Sequence, residues 1–322
     1  MWTSPPLVVS LSSAVSGSDL LDRRLVVVTG KGGVGKSTIA AALATLAARR
    51  GKRVLVAEVD ARERVAPMLG GRPSGPVIRQ VVPNISTVNV DPHHALEEYA
   101  LMVVKVRAIY QAVFENRVVR FFLRAVPSLA ETLMLGKILH EARSESGGKP
   151  RWDLVIVDAP ATGHAVQLLG VPKALLDTVP AGPLRRDAEW MQALLVDPAR
   201  TSVVMVSLPE EMPVSETVEL DAQVRDLLCL PRGPVFVNAM PDTRFSPGER
   251  DLLRGLTGWE PPVGPAARAA VLQAGRQERA DGQVARLREA LGRPVVTLPL
   301  LASDRWGRRA VERIADAMEG HV

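Results

Sequence analysis

Short, unbroken apolar runs recur along this chain, separated by longer stretches with apolar residues at helical spacing. Leu25-Val26-Val27-Val28-Thr29 reads as a strand buried on both faces, and Lys36 to Arg50, rich in Ala and Leu and closed by Gly51, reads as a helix. Arg53 to Val59 is a second strand ending at Asp60, so the first sixty residues predict a strand–loop–helix–strand unit with parallel strands. Further strands are expected at Ile85–Val90, Leu154–Val157, Ser202–Ser207, Val235–Val237 and Val295–Leu298, with Asp158 closing the second of these. Helices are expected near Ser215–Leu230, Ala266–Leu291 and Arg308–Met318, and as two or three segments over Leu96–Leu139 broken near Pro127. The alternation predicts the α/β class: one doubly wound, mostly parallel sheet domain over residues 23–322, with a helical elaboration at about 92–145 and an N-terminal extension over 1–22.

Composition changes this picture little. A hydrophobic fraction of 47% over 322 residues supplies a sizeable core, and the low aromatic content leaves it to Leu, Val and Ala. The formal net charge of +5 suits either simple solubility or an anionic partner. A lone cysteine, Cys229, excludes an intrachain disulfide, and its place in Leu227-Leu228-Cys229-Leu230 predicts a small core residue. The apolar patch at Leu7–Leu11 is interrupted by serine and preceded by Pro5-Pro6 with no basic residue, unlike a signal peptide. No run reaches the length of a membrane-spanning helix, so a cytoplasmic protein with no transmembrane segment is expected.

The chemistry enters at Gly30-Lys31-Gly32-Gly33-Val34-Gly35-Lys36-Ser37-Thr38, which fits G-x-x-x-x-G-K-[ST] between a strand and a helix. Glycines let the backbone curl until several N–H groups face one anion, and the helix adds its positive end. The loop from Gly30 through Gly32, Gly33, Val34 and Gly35 to Lys36, Ser37 and Thr38 is therefore the expected ATP phosphate site. Lys36 reaches the β- and γ-phosphates, and the Ser37 hydroxyl ligates Mg²⁺. Asp60 and Asp158 each follow a Val-rich strand at the edge where open α/β sheets bind ligands. Asp158 would hold Mg²⁺ through water and Asp60 would orient the attacking water; capping of the following helix is the competing role for both. Glu58 is read as pointing to the opposite side of its strand, a weaker candidate.

Lys31, directly after the first glycine, makes the loop resemble the deviant Walker-A ATPases (K-G-G-x-G-K-[ST]), a group that includes MinD, ParA, the nitrogenase iron protein and the arsenite-pump ATPase ArsA. The resemblance implies that Lys31 reaches across a dimer to the partner's phosphates, a charge supplied in trans like an arginine finger. Asp158-Ala159-Pro160-Ala161-Thr162-Gly163-His164 resembles the switch of the ArsA branch, which also holds the ATPase that targets tail-anchored membrane proteins. Weaker agreement comes from Pro127-Ser128-Leu129-Ala130-Glu131, Leu208-Pro209-Glu210 with Glu216-Thr217, Val237-Asn238 and Leu298-Pro299-Leu300. By this resemblance Asn238 bonds adenine, Pro299 lines its pocket, and Thr162-Gly163-His164 senses the γ-phosphate, with His164 structural rather than a base.

The chain also departs from that branch. Where the family reads D-P-A-H-[SN], this sequence has Asp60-Ala61-Arg62-Glu63-Arg64. One cysteine cannot supply the thiolates of an arsenite site, and the C-x-x-C pair that shares zinc across the targeting dimer is missing. The apolar stretch from Leu101-Met102 to Phe121-Phe122-Leu123 suits either ordinary packing or a face that meets a client. His93-His94 is not read as a metal pair, for want of a third ligand. Arg305, Arg308 and Arg309 read as a solvated face, and no nucleic-acid module is present. The expectation is thus a Mg²⁺-dependent ATPase switch, a homodimer or a heterodimer with a related ATPase, acting on a client or membrane-protein partner. Two other readings stay open: a positioning ATPase like ParA or MinD, and a nucleotide-binding subunit that hardly hydrolyses ATP.

Overall fold

The computed structural model describes residues 19–104, 129–242, 245–302 and 306–322, with side chains in the first stretch described as far as residue 98. The expectations for residues 1–18, the apolar stretch over 101–123, the break near Pro127 and the placement of Ser128 and Arg305 lie outside the described residues.

Eight strands form one sheet in the order β10-β9-β8-β1-β7-β2-β4-β3. They are β1 (Leu25–Gly30), β2 (Val54–Val59), β3 (Arg79–Val82), β4 (Ile85–Val90), β7 (Leu154–Ala161), β8 (Thr201–Ser207), β9 (Arg232–Met240) and β10 (Val295–Pro299). All neighbours pair in parallel except β3 on β4, and a separate small hairpin joins β5 (Glu145–Ser146) to β6 (Lys149–Pro150). Strands β1, β2 and β8 are buried at every position, because helices cover both faces of the sheet.

One face carries α1 (Lys36–Arg49), the short α2 (Val65–Met68) and the C-terminal α10 (Arg308–Met318). Ala40, Ala41, Ala44 and Ala47 of α1 are fully buried, and these small side chains let the helix lie close against its neighbours. The other face carries α3 (Pro92–Val104), α4 (Leu129–Arg143), α5 (Thr162–Thr178), α6 (Pro183–Val196), α7 (Glu211–Ala222) and α9 (Val263–Leu291). The remaining helix, α8 (Pro247–Leu256), packs on α9. Leu133, Leu135, Ile138 and Leu139 of α4 belong to the same core as the strands they cover.

Several elements differ from the sequence expectation. β7 does not stop at Asp158 but runs through Pro160 to Ala161, since its final residues still pair with β1. β9 is longer than its apolar centre, and α7 begins earlier and gives way to a π-helical turn, Gln223–Leu227. Cys229 is not a core residue. Leu228 and Leu230 turn inward while Cys229, at φ 55°, is exposed. Among the described residues, no helix is long and apolar enough to cross a membrane.

Candidate nucleotide-binding site

The C-terminal ends of β1, β2, β7, β8 and β9 meet around the glycine loop. Two glycines there are required by space as well as by backbone angle. At Gly30 (φ 147°) a side chain would strike the Val206 carbonyl of β8, and at Gly35 (φ 97°), the N-cap of α1, it would strike the Asn238 amide. Gly32 and Gly33 are exposed, and Val34 is buried beneath the loop. The Asn238 Nδ2 donates to the Val34 carbonyl at 3.0 Å, so β9 supports the loop directly. Ala239, at φ 57°, marks the local irregularity of β9 beside it.

The two lysines of the loop diverge. Lys36 Nζ donates to the Gly30 and Lys31 carbonyls, each at 3.2 Å. Burial holds its pKa below the usual lysine value, against the opposing pull of Asp158. Lys31 instead reaches α7, where its ammonium pairs with Glu216 and approaches the Met212 sulfur at 3.2 Å. Thr38 faces inward, its hydroxyl 3.9 Å from the Met68 sulfur of α2.

Asp158 lies between Val28 of β1 and Glu58 of β2 in the sheet register. Burial pushes its carboxyl up, while the Ser37 hydroxyl bonded to it and the Lys36 and Arg64 charges pull it down. Its Oδ1 is buried with no hydrogen-bond partner. An orphaned carboxylate oxygen beside a loop hydroxyl is the donor set a hydrated Mg²⁺ would satisfy, so the residues fit that ion. The Thr162 hydroxyl, at the start of α5, is likewise buried and unpartnered, whereas Gly163 and His164 are exposed.

Glu58 corrects the sequence reading. It does not point away from the site. Residues two apart on a strand share a face, and Glu58 is buried on the α1 face next to Asp158. Its Oε1 accepts the Arg64 N–H at 2.6 Å and the Val65 N–H at 3.2 Å, while Oε2 has no partner. Burial, with smaller pushes from Asp158 and Glu63, raises its pKa to about 7 against the two N–H bonds. Asp60, two residues on, has left the pleat: its φ is 42° and it is exposed at the sheet edge, its N–H bonded to the Val90 carbonyl at 2.9 Å.

The rewritten segment after Asp60 has its own fastenings. Asn89 Nδ2 donates to the Ala61 carbonyl at 2.9 Å, and Glu63 accepts the Ser74 and Gly75 N–H groups. Pro299, at the end of β10, borders a cavity of about 580 Å³. Met240, Asp242, Thr297 and Asp281, Val284 and Arg288 of α9 also line it. Asn238 is not among its lining residues and packs against the loop instead, so the structure does not join these two positions in one pocket.

A parallel sheet, a strand–glycine loop–helix turn and an acid on the adjoining strand define a P-loop nucleoside triphosphatase. A family described as anion-transporting ATPase matches residues 23–180. ATPase BagA of Mycobacterium tuberculosis (strain ATCC 25618 / H37Rv) is 33% identical over 241 residues, 73% of this chain and 70% of that protein. An arsenical pump-driving ATPase of Escherichia coli is 29% identical over 245 residues, 74% of this chain and 39% of that protein. ATPase ASNA1 homolog 2 of Paramecium tetraurelia is 25% identical over 151 residues, 47% of this chain and 44% of that protein. The chain belongs to the ArsA-type anion-transporting ATPase family, and it is an ATPase.

Proposed function

We propose that this ATPase is a nucleotide-driven dimer switch, in which ATP and Mg²⁺ close two chains on one another and hydrolysis reopens them. The observation that carries the reading is the parting of the two loop lysines: Lys36 stays in its own loop, and Lys31 turns outward to Glu216. Both members of the Lys31–Glu216 pair are about a third exposed. Such a pair is worth about 0–1 kcal/mol. The triphosphate of a facing chain carries more negative charge than one carboxylate, so Lys31 gains by exchanging Glu216 for it. Moving a population from mostly open to mostly closed takes about 5.5 kcal/mol of differential binding, to which that exchange contributes.

Within each chain, Lys36 binds the β- and γ-phosphates, and the loop N–H groups of Gly32, Gly33 and Gly35 cradle them. Ser37 would ligate Mg²⁺ and Asp158 would hold its water shell; the ion, when bound, neutralises charge that develops on the phosphates. Asp60 orients the attacking water from its exposed place at the sheet edge. Pro299 borders the adenine, for which the cavity beside it has room, while Asn238 acts from β9 by supporting the loop through Val34. The switch acts in the cytoplasm on a client or membrane-protein partner. With Cys229 as its single thiol, the chain does not carry the soft-ligand set of an arsenite site.

The test compares Lys31→Ala with Lys36→Ala for nucleotide binding, mass in solution and turnover. Lys31→Ala is expected to bind ATP almost normally, to need a higher chain concentration than the wild type to dimerise with ATP, and to lose about 10³-fold or more in turnover, as loss of a charge acting in trans does. Full turnover by Lys31→Ala, or no ATP-dependent change in mass for the wild type, contradicts the reading. The rewritten Asp60–Arg64 segment favours a second reading: a weakly hydrolysing subunit paired with a related ATPase. Robust turnover by the purified chain alone rules that out.

A further inference from the structure

Glu58 is a buried acid for which the loop, the switch aspartates and the adenine contacts leave no role. Its carboxylate is divided between two tasks. Oε1 accepts the N–H groups of Arg64 and Val65, where the rewritten segment enters α2. Oε2 is buried and unpartnered, as is Oδ1 of Asp158, its neighbour across the sheet. Two orphaned acceptor oxygens on adjoining residues, both on the α1 face of the sheet and one beside Ser37, are costly unless something donates to them. Lys36 Nζ, whose charge reaches Asp158, gives its hydrogen bonds to the Gly30 and Lys31 carbonyls. A hydrated divalent cation supplies what is missing: positive charge, and water molecules that donate hydrogen bonds outward.

We propose that Glu58 is a second acidic holder of the Mg²⁺ water shell and that, through Oε1, it ties the Ala61–Val65 segment to occupancy of the metal site. This rests on the reading that Ser37 and Asp158 hold the cation. The segment is already fastened by Asn89 to Ala61 and by Glu63 to Ser74 and Gly75. Glu58 is the fastening that also borders the metal site. It is a positioning residue: it touches neither nucleotide nor attacking water, and it fixes where the chain beyond Asp60 runs.

The experiment titrates Mn²⁺ into the full-length chain loaded with a non-hydrolysable ATP analogue and reads free Mn²⁺ by electron paramagnetic resonance. Glu58→Gln, which keeps the size and one carbonyl acceptor, is expected to weaken Mn²⁺ binding about tenfold while leaving metal-free nucleotide affinity within about twofold. Hydrogen exchange at Arg64 and Val65 should slow on metal addition in the wild type and not in Glu58→Gln. Glu58→Asp keeps the charge and should retain part of the Mn²⁺ affinity, which covers the case of a Gln variant that folds poorly. Wild-type Mn²⁺ affinity in both Glu58 variants, with affinity lost in Asp158→Asn, overturns the role of Glu58 alone. Unchanged affinity in Asp158→Asn as well overturns the metal site on which it rests.

Discussion

Glu58 and Asp60 sit two positions apart and meet opposite surroundings, one sealed beside Asp158, the other in solvent at the sheet edge. A left-handed backbone at a residue other than glycine costs about 1–2 kcal/mol, and Asp60, at φ 42°, carries such a backbone without a side-chain bond among those described. Strain of this kind gathers at working sites because the fold elsewhere outweighs it. Asp60→Asn preserves shape and removes the charge. It is expected to bind ATP like the wild type and to lose about 10²–10⁴-fold in turnover, the range for a positioned acid–base group. Binding by a fluorescent nucleotide and single-turnover hydrolysis separate the two effects, and undiminished hydrolysis would remove Asp60 from the reaction. At this scale the loop was legible in the sequence, since Gly30 and Gly35 stand where any side chain would strike Val206 or Asn238. Glu58 was misread against the alternation of the strand, which puts it on the same face as Asp60; only its pairing with Asp158, 100 residues away, lay beyond the sequence.

Among the elements, the start of β2 is locked to the start of β7 by one pair. Arg53 donates to Asp153 from its backbone N–H, from Nε and from Nη2, all within 3.0 Å. These bonds hold the Asp153 carboxyl at about 2, below its ordinary 3.8. A depressed acid stabilises the fold above its unfolded pKa and loses that contribution as pH falls from 3.8 through about 2. Asp153 is about a third exposed, with side-chain exposure of 35%, so solvent screening reduces the effect. Asp153→Asn is expected to cost about 1 kcal/mol at neutral pH and to flatten the acid limb of stability, as urea melts across pH would report. An unchanged acid limb would mean the pair is indifferent to folding. The elements the sequence missed have separate causes. β3 is a half-exposed antiparallel edge without an apolar run, and β7 continues past its apolar run, Leu154–Val157, through Asp158 and Pro160. α5 and α6 have no counterpart among the expected helices; α5 starts directly from the strand end and holds Pro172 in its interior, a residue that reads as a helix stop.

For the whole molecule, the sheet order sets β1 between β7 and β8, which brings Lys36, Asp158 and the α7 residue Glu216 around one loop. Elsewhere a buried acid binds the far side together. Asp221 of α7 accepts from Arg232 of β9 and from Arg293 ahead of β10, so these elements share one charge cluster away from the loop. The doubly wound class was legible from the alternation of apolar runs. The Lys31–Glu216 pair was not, since it joins residues 185 apart and requires α7 to cross above the loop.

The central claim is that Lys31 works on the partner's nucleotide. Mixing Lys31→Ala with Asp60→Asn tests it most directly. Each variant alone should be nearly inactive. In a mixed dimer, the Lys31→Ala chain keeps its own Asp60 and receives Lys31 from its partner, so one of the two sites is restored. Random exchange should then recover about a quarter of the wild-type turnover, with half the dimers mixed and half of their sites active. If the mixture hydrolyses ATP no faster than the two variants apart, Lys31 does not act across a dimer and the account fails.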